Sequence, residues 1–135
     1  MKIDGGCHCG AITYRAEVDP ARVSICHCTD CQTLTGSAFR VTVPVAAADL
    51  VLDGTPRIYV KTAASGRRRE QAFCGTCGAP IYATSAGAGP KIYGLRTGTA
   101  RQRDQLVPRR QIWHDSALTW VETPACVTDT VPGER

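Results

Sequence analysis

Aromatic side chains are scarce in this chain: two Trp, two Phe and four Tyr among 135 residues. Rings of that kind each bury about 150–250 Å² and dominate most cores. Their shortage implies a thin core that added cross-links would help. No stretch approaches the ~20 consecutive apolar residues of a membrane-spanning helix. The opening residues, MKIDGGCHCGAITYRAE, hold no apolar segment of the kind that directs secretion, so a reducing, cytoplasmic setting is expected. A large excess of one charge is also missing. Sixteen Lys and Arg against twelve Asp and Glu leave a net charge of +4, which suits the handling of small acidic ligands as easily as nucleic acid. Long helical periodicities and repeats are absent. The length fits one domain, expected over residues 1–125, followed by a loosely held tail over 126–135.

Cysteine is what the chain has in quantity, with eight residues. Seven fall in three clusters: Cys7 and Cys9 in GGCHCG, Cys26, Cys28 and Cys31 in ICHCTDC, and Cys74 and Cys77 in FCGTCGAP. Pairs spaced C-x-C and C-x-x-C are too close for disulfides that tie distant strands together, and in a reducing compartment they read as metal ligands. Gly10 and Gly78 follow the first and third clusters directly. Glycine there permits a sharp turn that brings backbone N–H groups toward thiolate sulfurs. Each cluster is thus half of a knuckle, and the two halves make a closed four-sulfur site of the structural zinc type. In a domain with a thin core, such ligation contributes directly to folding.

The middle trio is one ligand short of a closed tetrahedron. Three thiolates hold a metal with one position left open, the arrangement of catalytic rather than structural zinc. Thiolates are soft donors and favour zinc over magnesium or calcium. Two zincs per chain are therefore expected. His27 lies between two of the ligands and is a lesser candidate as ligand or proton shuttle. His8 reads as an exposed strand residue, and Cys126 as a free thiol with an outside role as conditional fourth ligand.

The rest of the chain reads as short strands with little helix. AITYRAE alternates apolar and polar positions, GSAFRVTVP does so up to Pro44, and RIYVKT, EQAF, APIYAT and KIYGL follow between turn residues. QIW and LTWV are weaker strand candidates. TDCQTL, with Thr29 as N-cap, and VAAADL are the plausible helical turns. Trp113 and Trp120 read as packing residues. His114, beside Asp115, is a weak acid–base candidate. Arg40, the Arg67–Arg69 run, Arg96 and the Arg109–Arg110 pair are cations available to balance the thiolates, although the run reads better as a solvated strand edge.

GGCHCGAITY, CHCTDCQTLTGSAF, FCGTCGAPIYA and IWHDSALTW together resemble the glutathione-dependent formaldehyde-activating enzyme family, which includes centromere protein V. The resemblance spans roughly residues 5 to 120. It implies a mainly β fold of several small antiparallel sheets, the β-tent. It implies a structural zinc on Cys7, Cys9, Cys74 and Cys77 and a catalytic zinc on Cys26, Cys28 and Cys31. The implied activity is a carbon–sulfur lyase run toward synthesis, joining glutathione to formaldehyde as S-(hydroxymethyl)glutathione. The segment GLRTGTARQRDQLVPRR departs from the family's pattern, being strongly basic, so a different thiol or aldehyde carrier stays open. Two rival readings are a zinc-stapled β module that binds protein or nucleic acid without catalysis, and a redox pair at Cys74 and Cys77. The modest charge and few aromatics near the basic runs count against nucleic acid. The missing βαβ context counts against redox.

Overall fold

The computed structural model describes residues 1–133. Its strands, in chain order, are β1 (Lys2–Gly6), β2 (Thr13–Glu17), β3 (Ser24–Cys26), β4 (Arg40–Ala46), β5 (Leu50–Asp53), β6 (Arg57–Thr62), β7 (Arg68–Phe73), β8 (Pro80–Ser85), β9 (Ile92–Arg96), β10 (Arg110–Ile112) and β11 (Asp129–Thr130). One α-helix, α1 (Thr29–Thr35), lies between β3 and β4. The mainly β expectation therefore holds. No helix among the described residues is long and apolar enough to cross a membrane.

Two sheets carry the architecture: a three-stranded one in the order β1-β2-β5 and an eight-stranded one in the order β11-β10-β3-β4-β9-β8-β7-β6. The alternation read in AITYRAE is realised in β2, where Tyr14 and Ala16 are buried and Thr13, Arg15 and Glu17 are exposed. With Ile3, Ile12, Val18, Val43, Val45, Ile81 and Leu95 they form one core, which also takes in Cys7 and Cys74. The close approach of Gly5 to Ala100 needs a residue without a side chain, because a Cβ on Gly5 would collide with the Thr99 carbonyl oxygen.

Several elements differ from the sequence reading. β4 continues through Pro44 to Ala46. Beyond Thr42 it is paired with β9 alone, so Pro44 sits where one edge has no ladder to lose. LTWV forms turns instead of a strand, and Trp120 is 72% exposed rather than packed. The tail, to Gly133, is not loose: β11 pairs in parallel with β10, and the carbonyls of Val131, Pro132 and Gly133 accept from the amides of His114, Asp115 and Trp113. The last two residues of the expected tail lie outside the described ones. β10 in turn pairs in parallel with β3, through Ile112 and Cys26. The C-terminal chain thus braces the strand that carries the cysteine trio.

Candidate metal centres

The first and third cysteine clusters are hairpin tips. Residues 7–12 connect β1 to β2, and the Cys7 amide donates to the Ile12 carbonyl at 2.9 Å. Residues 74–79 connect β7 to β8 with the same bond, Cys74 N–H to Ala79 O at 2.9 Å. Gly10 and Gly78 adopt φ of 83° and 81°, the left-handed region that favours glycine. Backbone amides turn inward onto sulfur, from Ile12 to Cys7 Sγ at 3.2 Å and from Thr76 to Cys74 Sγ at 3.4 Å. The Cys77 thiol is pulled down to about 6, first by the amide of Ala79 and then by that of Cys9. The turn thus favours the thiolate at Cys77, the form that metal ligation needs.

All four sulfurs lie within 4.8 Å of one another. Cys9 Sγ stands 3.6 Å from Cys7 Sγ and 3.7 Å from Cys74 Sγ. A tetrahedron with Zn–S bonds of about 2.3 Å has edges of about 3.8 Å, so the donor set fits zinc in number, chemistry and spacing. Because one hairpin belongs to the small sheet and the other to the large one, the cluster joins the two sheets.

Cys26, Cys28 and Cys31 form the second group, again with sulfurs within 4.8 Å. Cys26 ends β3, and Cys28 is the N-cap of α1, its Sγ accepting from the Cys31 amide at 3.3 Å. The cap expected at Thr29 therefore sits one residue earlier, on a cysteine of the trio. The helix closes at Gly36, whose amide and that of Ser37 bond back to Thr33 and Gln32, a Schellman ending. Gln32 Nε2 holds α1 in place by donating to the carbonyls of His27 at 2.8 Å and Ser116 at 2.9 Å. The Cys28 thiol is driven far down, chiefly by the Cys26 thiol and then by that of Cys31. Cys26 is pushed up by the same sharing with Cys28 and Cys31 and by burial. Within the trio negative charge is favoured at Cys28 over Cys26 and Cys31, and a bound dication would displace the protons that remain.

No histidine, aspartate or glutamate among the described residues completes the trio. His27 is 1% exposed and points elsewhere: its Nε2 pairs with Gln111 Oε1 at 2.8 Å. The Gln111 amide donates to Thr123 and Thr130, and the His27 ring stacks edgewise on Phe39 and His114, each with centroids 5.6 Å apart. The ring is a core residue. His8 and Cys9 are exposed, and Cys126 belongs to neither group. All eight cysteines are free of disulfides.

A cavity of about 350 Å³ is walled by Leu34 of α1, Tyr59, Phe73 and Pro80, and by Arg40, Gln71 and Arg96. No cysteine of the trio lines it, and Arg40 and Arg96, whose charges act on Cys26 and Cys31, connect the two. Arg40 faces Cys26 across the β3–β4 ladder. Of the four groups of arginines singled out in the sequence, only Arg40 and Arg96 line this cavity. Arg67 and Arg68 are exposed near the β6–β7 turn, Arg109 is exposed, and Arg110 pairs with Asp129 at 3.2 Å. Sequence reasoning missed Gln71 and Tyr59 altogether, since their place depends on strand order.

A mainly β scaffold gathers seven cysteines into a group of four and a group of three, each of which could hold a metal ion. The description glutathione-dependent formaldehyde-activating enzyme matches residues 2–116, and the chain belongs to that family. No curated protein matches it. The fold is similar to a crystal structure of a Rhodobacter sphaeroides protein from a structural-genomics programme, at 18% identity and a TM-score of 0.58, over 95% of this chain and 98% of that one.

Proposed function

We propose that the chain is a zinc-dependent enzyme joining a thiol, glutathione in the family's namesake reaction, to formaldehyde or a related aldehyde. In this reading Cys7, Cys9, Cys74 and Cys77 hold a structural zinc, and Cys26, Cys28 and Cys31 hold a second. The reaction forms one C–S bond, moves the thiol proton to the carbonyl oxygen and changes no oxidation state; reversed, it is a carbon–sulfur lyase. The observation that carries the reading is the trio itself: three converging sulfurs, no fourth protein ligand among the described residues, and a cavity lined by the two arginines whose charges act on it. Zinc bound there would supply a Lewis acid with an open position. The chain's own part is to hold that position, to balance the thiolates with Arg40 and Arg96, and to keep reactants together in a walled space.

Metal analysis with an ultraviolet assay for the thiohemiacetal, using glutathione and formaldehyde, tests it. Two zincs per chain and a rate above the uncatalysed condensation are expected. Cys28→Ser should retain one zinc, lose the acceleration and keep the far-ultraviolet dichroism, because serine is itself a good N-cap. A zinc-replete protein without acceleration, or a Cys28→Ser protein that still binds two zincs, would sink the proposal.

A further inference from the structure

Strand register lays a stripe of side chains across one face of the large sheet. Cys26 faces Arg40, Thr42 faces Arg96, Gly94 faces Ala83, Ala83 faces Gln71, and Gln71 faces Tyr59. The middle of the stripe, Gly94 and Ala83, has almost no side chain. A Cβ on Gly94 would come within 3.8 Å of Arg96 Nη1, so Arg96 lies over that floor and reaches Gln71, two strands away. Gln71 Oε1 accepts from Arg96 Nη2 at 2.9 Å and from Arg40 Nη1 at 3.3 Å.

One neutral oxygen therefore serves two guanidinium groups. Arg40 is only 5% exposed, and the Nε atoms of both arginines are enclosed without a hydrogen-bond partner. Among the described residues no carboxylate forms an ion pair with either one. Buried charges are ordinarily paired, and an arginine fork is shaped for two oxygens of one carboxylate. Burial, and then the charge of Arg40, lower the Arg96 pKa to about 9. The cysteine trio supplies part of the counter-charge. Yet three thiolates around a dication carry a formal charge of only about −1, against +2 on the pair. One negative charge is missing, and both arginines line a cavity of about 350 Å³, at the compact end of small-molecule sites.

We infer that Arg40 and Arg96, bridged by Gln71, form a carboxylate site that holds the anionic end of the substrate next to the cysteine trio. The inference deepens the proposed reading and rests on it for the word substrate; the arginine pair and its missing anion belong to the chain alone. The carboxylate can come from the thiol, as in glutathione, or from the aldehyde, as in a 2-oxo acid.

Calorimetric titration of the zinc-loaded full chain separates these sources. The probes are S-methylglutathione, which keeps the carboxylates and blocks the sulfur, and glyoxylate, with acetamide as an uncharged control. At least one carboxylate should bind, more weakly as salt is raised, and acetamide should not. Binding by S-methylglutathione alone assigns the anion to the thiol, by glyoxylate alone to the aldehyde, and by both to a site general for carboxylates. Gln71→Glu places a carboxylate between the arginines. It should raise the melting temperature and weaken the binding probe at least about tenfold. Arg96→Lys, which keeps the charge and loses the fork, should weaken it without that gain in stability. No binding by either carboxylate, or unchanged binding in both variants, overturns the inference. Turnover without carboxylate binding removes this inference alone, and carboxylate binding without turnover removes the enzymatic reading alone.

Discussion

His27 shows how a residue's neighbours in space override its neighbours in sequence. It sits between two cysteines of the trio, where imidazole is a natural zinc donor. The side chain instead enters the core, bonds Gln111 and leaves Nδ1 enclosed and unpartnered. β3 is extended, so successive side chains alternate sides, and Cys26 and His27 diverge. His27→Ala removes a buried ring and orphans the Gln111 oxygen, each costly in an interior. The expected loss of stability is about 2–4 kcal/mol by denaturant unfolding, with the zinc content still two per chain. A fall to one zinc at unchanged stability would instead make His27 a ligand. Trp113 belongs to the same neighbourhood: its φ of 54° is the one positive value outside glycine among the described residues. Its amide is tied to the Gly133 carbonyl at 2.8 Å, so the C-terminal segment holds the backbone in that conformation.

At the scale of elements, the trio depends on a helix of seven residues, too short to be stable by itself. Its start is Cys28, its end is a glycine turn, and it is tied to the rest of the molecule by Gln32 and by the ion pair of Asp30 with Lys61 at 2.8 Å. Gln32→Ala leaves the His27 and Ser116 carbonyls without their donor, which costs about 1–3 kcal/mol. Cys31 lies on the same turn and would lose its fixed position. The expected outcome is a weaker second metal site: chelator competition should extract one zinc more readily while the other is retained. Equal retention of both would mean that α1 is held by other contacts. The hairpin turns and the helical turn were legible in the sequence, because a cysteine pair followed by glycine, or the run TDCQTL, carries its turn chemistry within a few residues; only the cap was placed one residue late. Strand order was not. Nothing near Arg96 announces that β9 lies two places from β7, or that β10 pairs with β3 in parallel. Arg40 and Arg96 were therefore indistinguishable from the other cations until the sheet was assembled. The ordered tail was hidden for the same reason, its partners being backbone groups on β10 and beyond.

The whole molecule consists of two sheets that share one core poor in large rings, and the four-cysteine group sits where their hairpins meet. Cys9 and Cys74 are separated by 65 positions in the chain. A covalent link closing a loop of that size restrains the unfolded chain by about 4 kcal/mol on the loop-closure relation, and a metal that binds only the folded form adds its own binding free energy. Against a net stability of about 5–15 kcal/mol for an ordinary domain, losing this link is severe. The trio closes only a few residues and restrains little, so the two groups should part company under a strong chelator. The first zinc to leave should be that of Cys26, Cys28 and Cys31, with circular dichroism unchanged. The second should leave only together with the fold, in a single cooperative loss of structure. Cys9→Ser should mimic the second event, giving a chain with a melting temperature lowered by well over 10 °C or no folded state at all. Following metal release by a colorimetric chelator and structure by dichroism on the same sample distinguishes the outcomes. Simultaneous release of both zincs, or a Cys9→Ser protein as stable as the parent, would show that the thin core holds the two sheets together unaided.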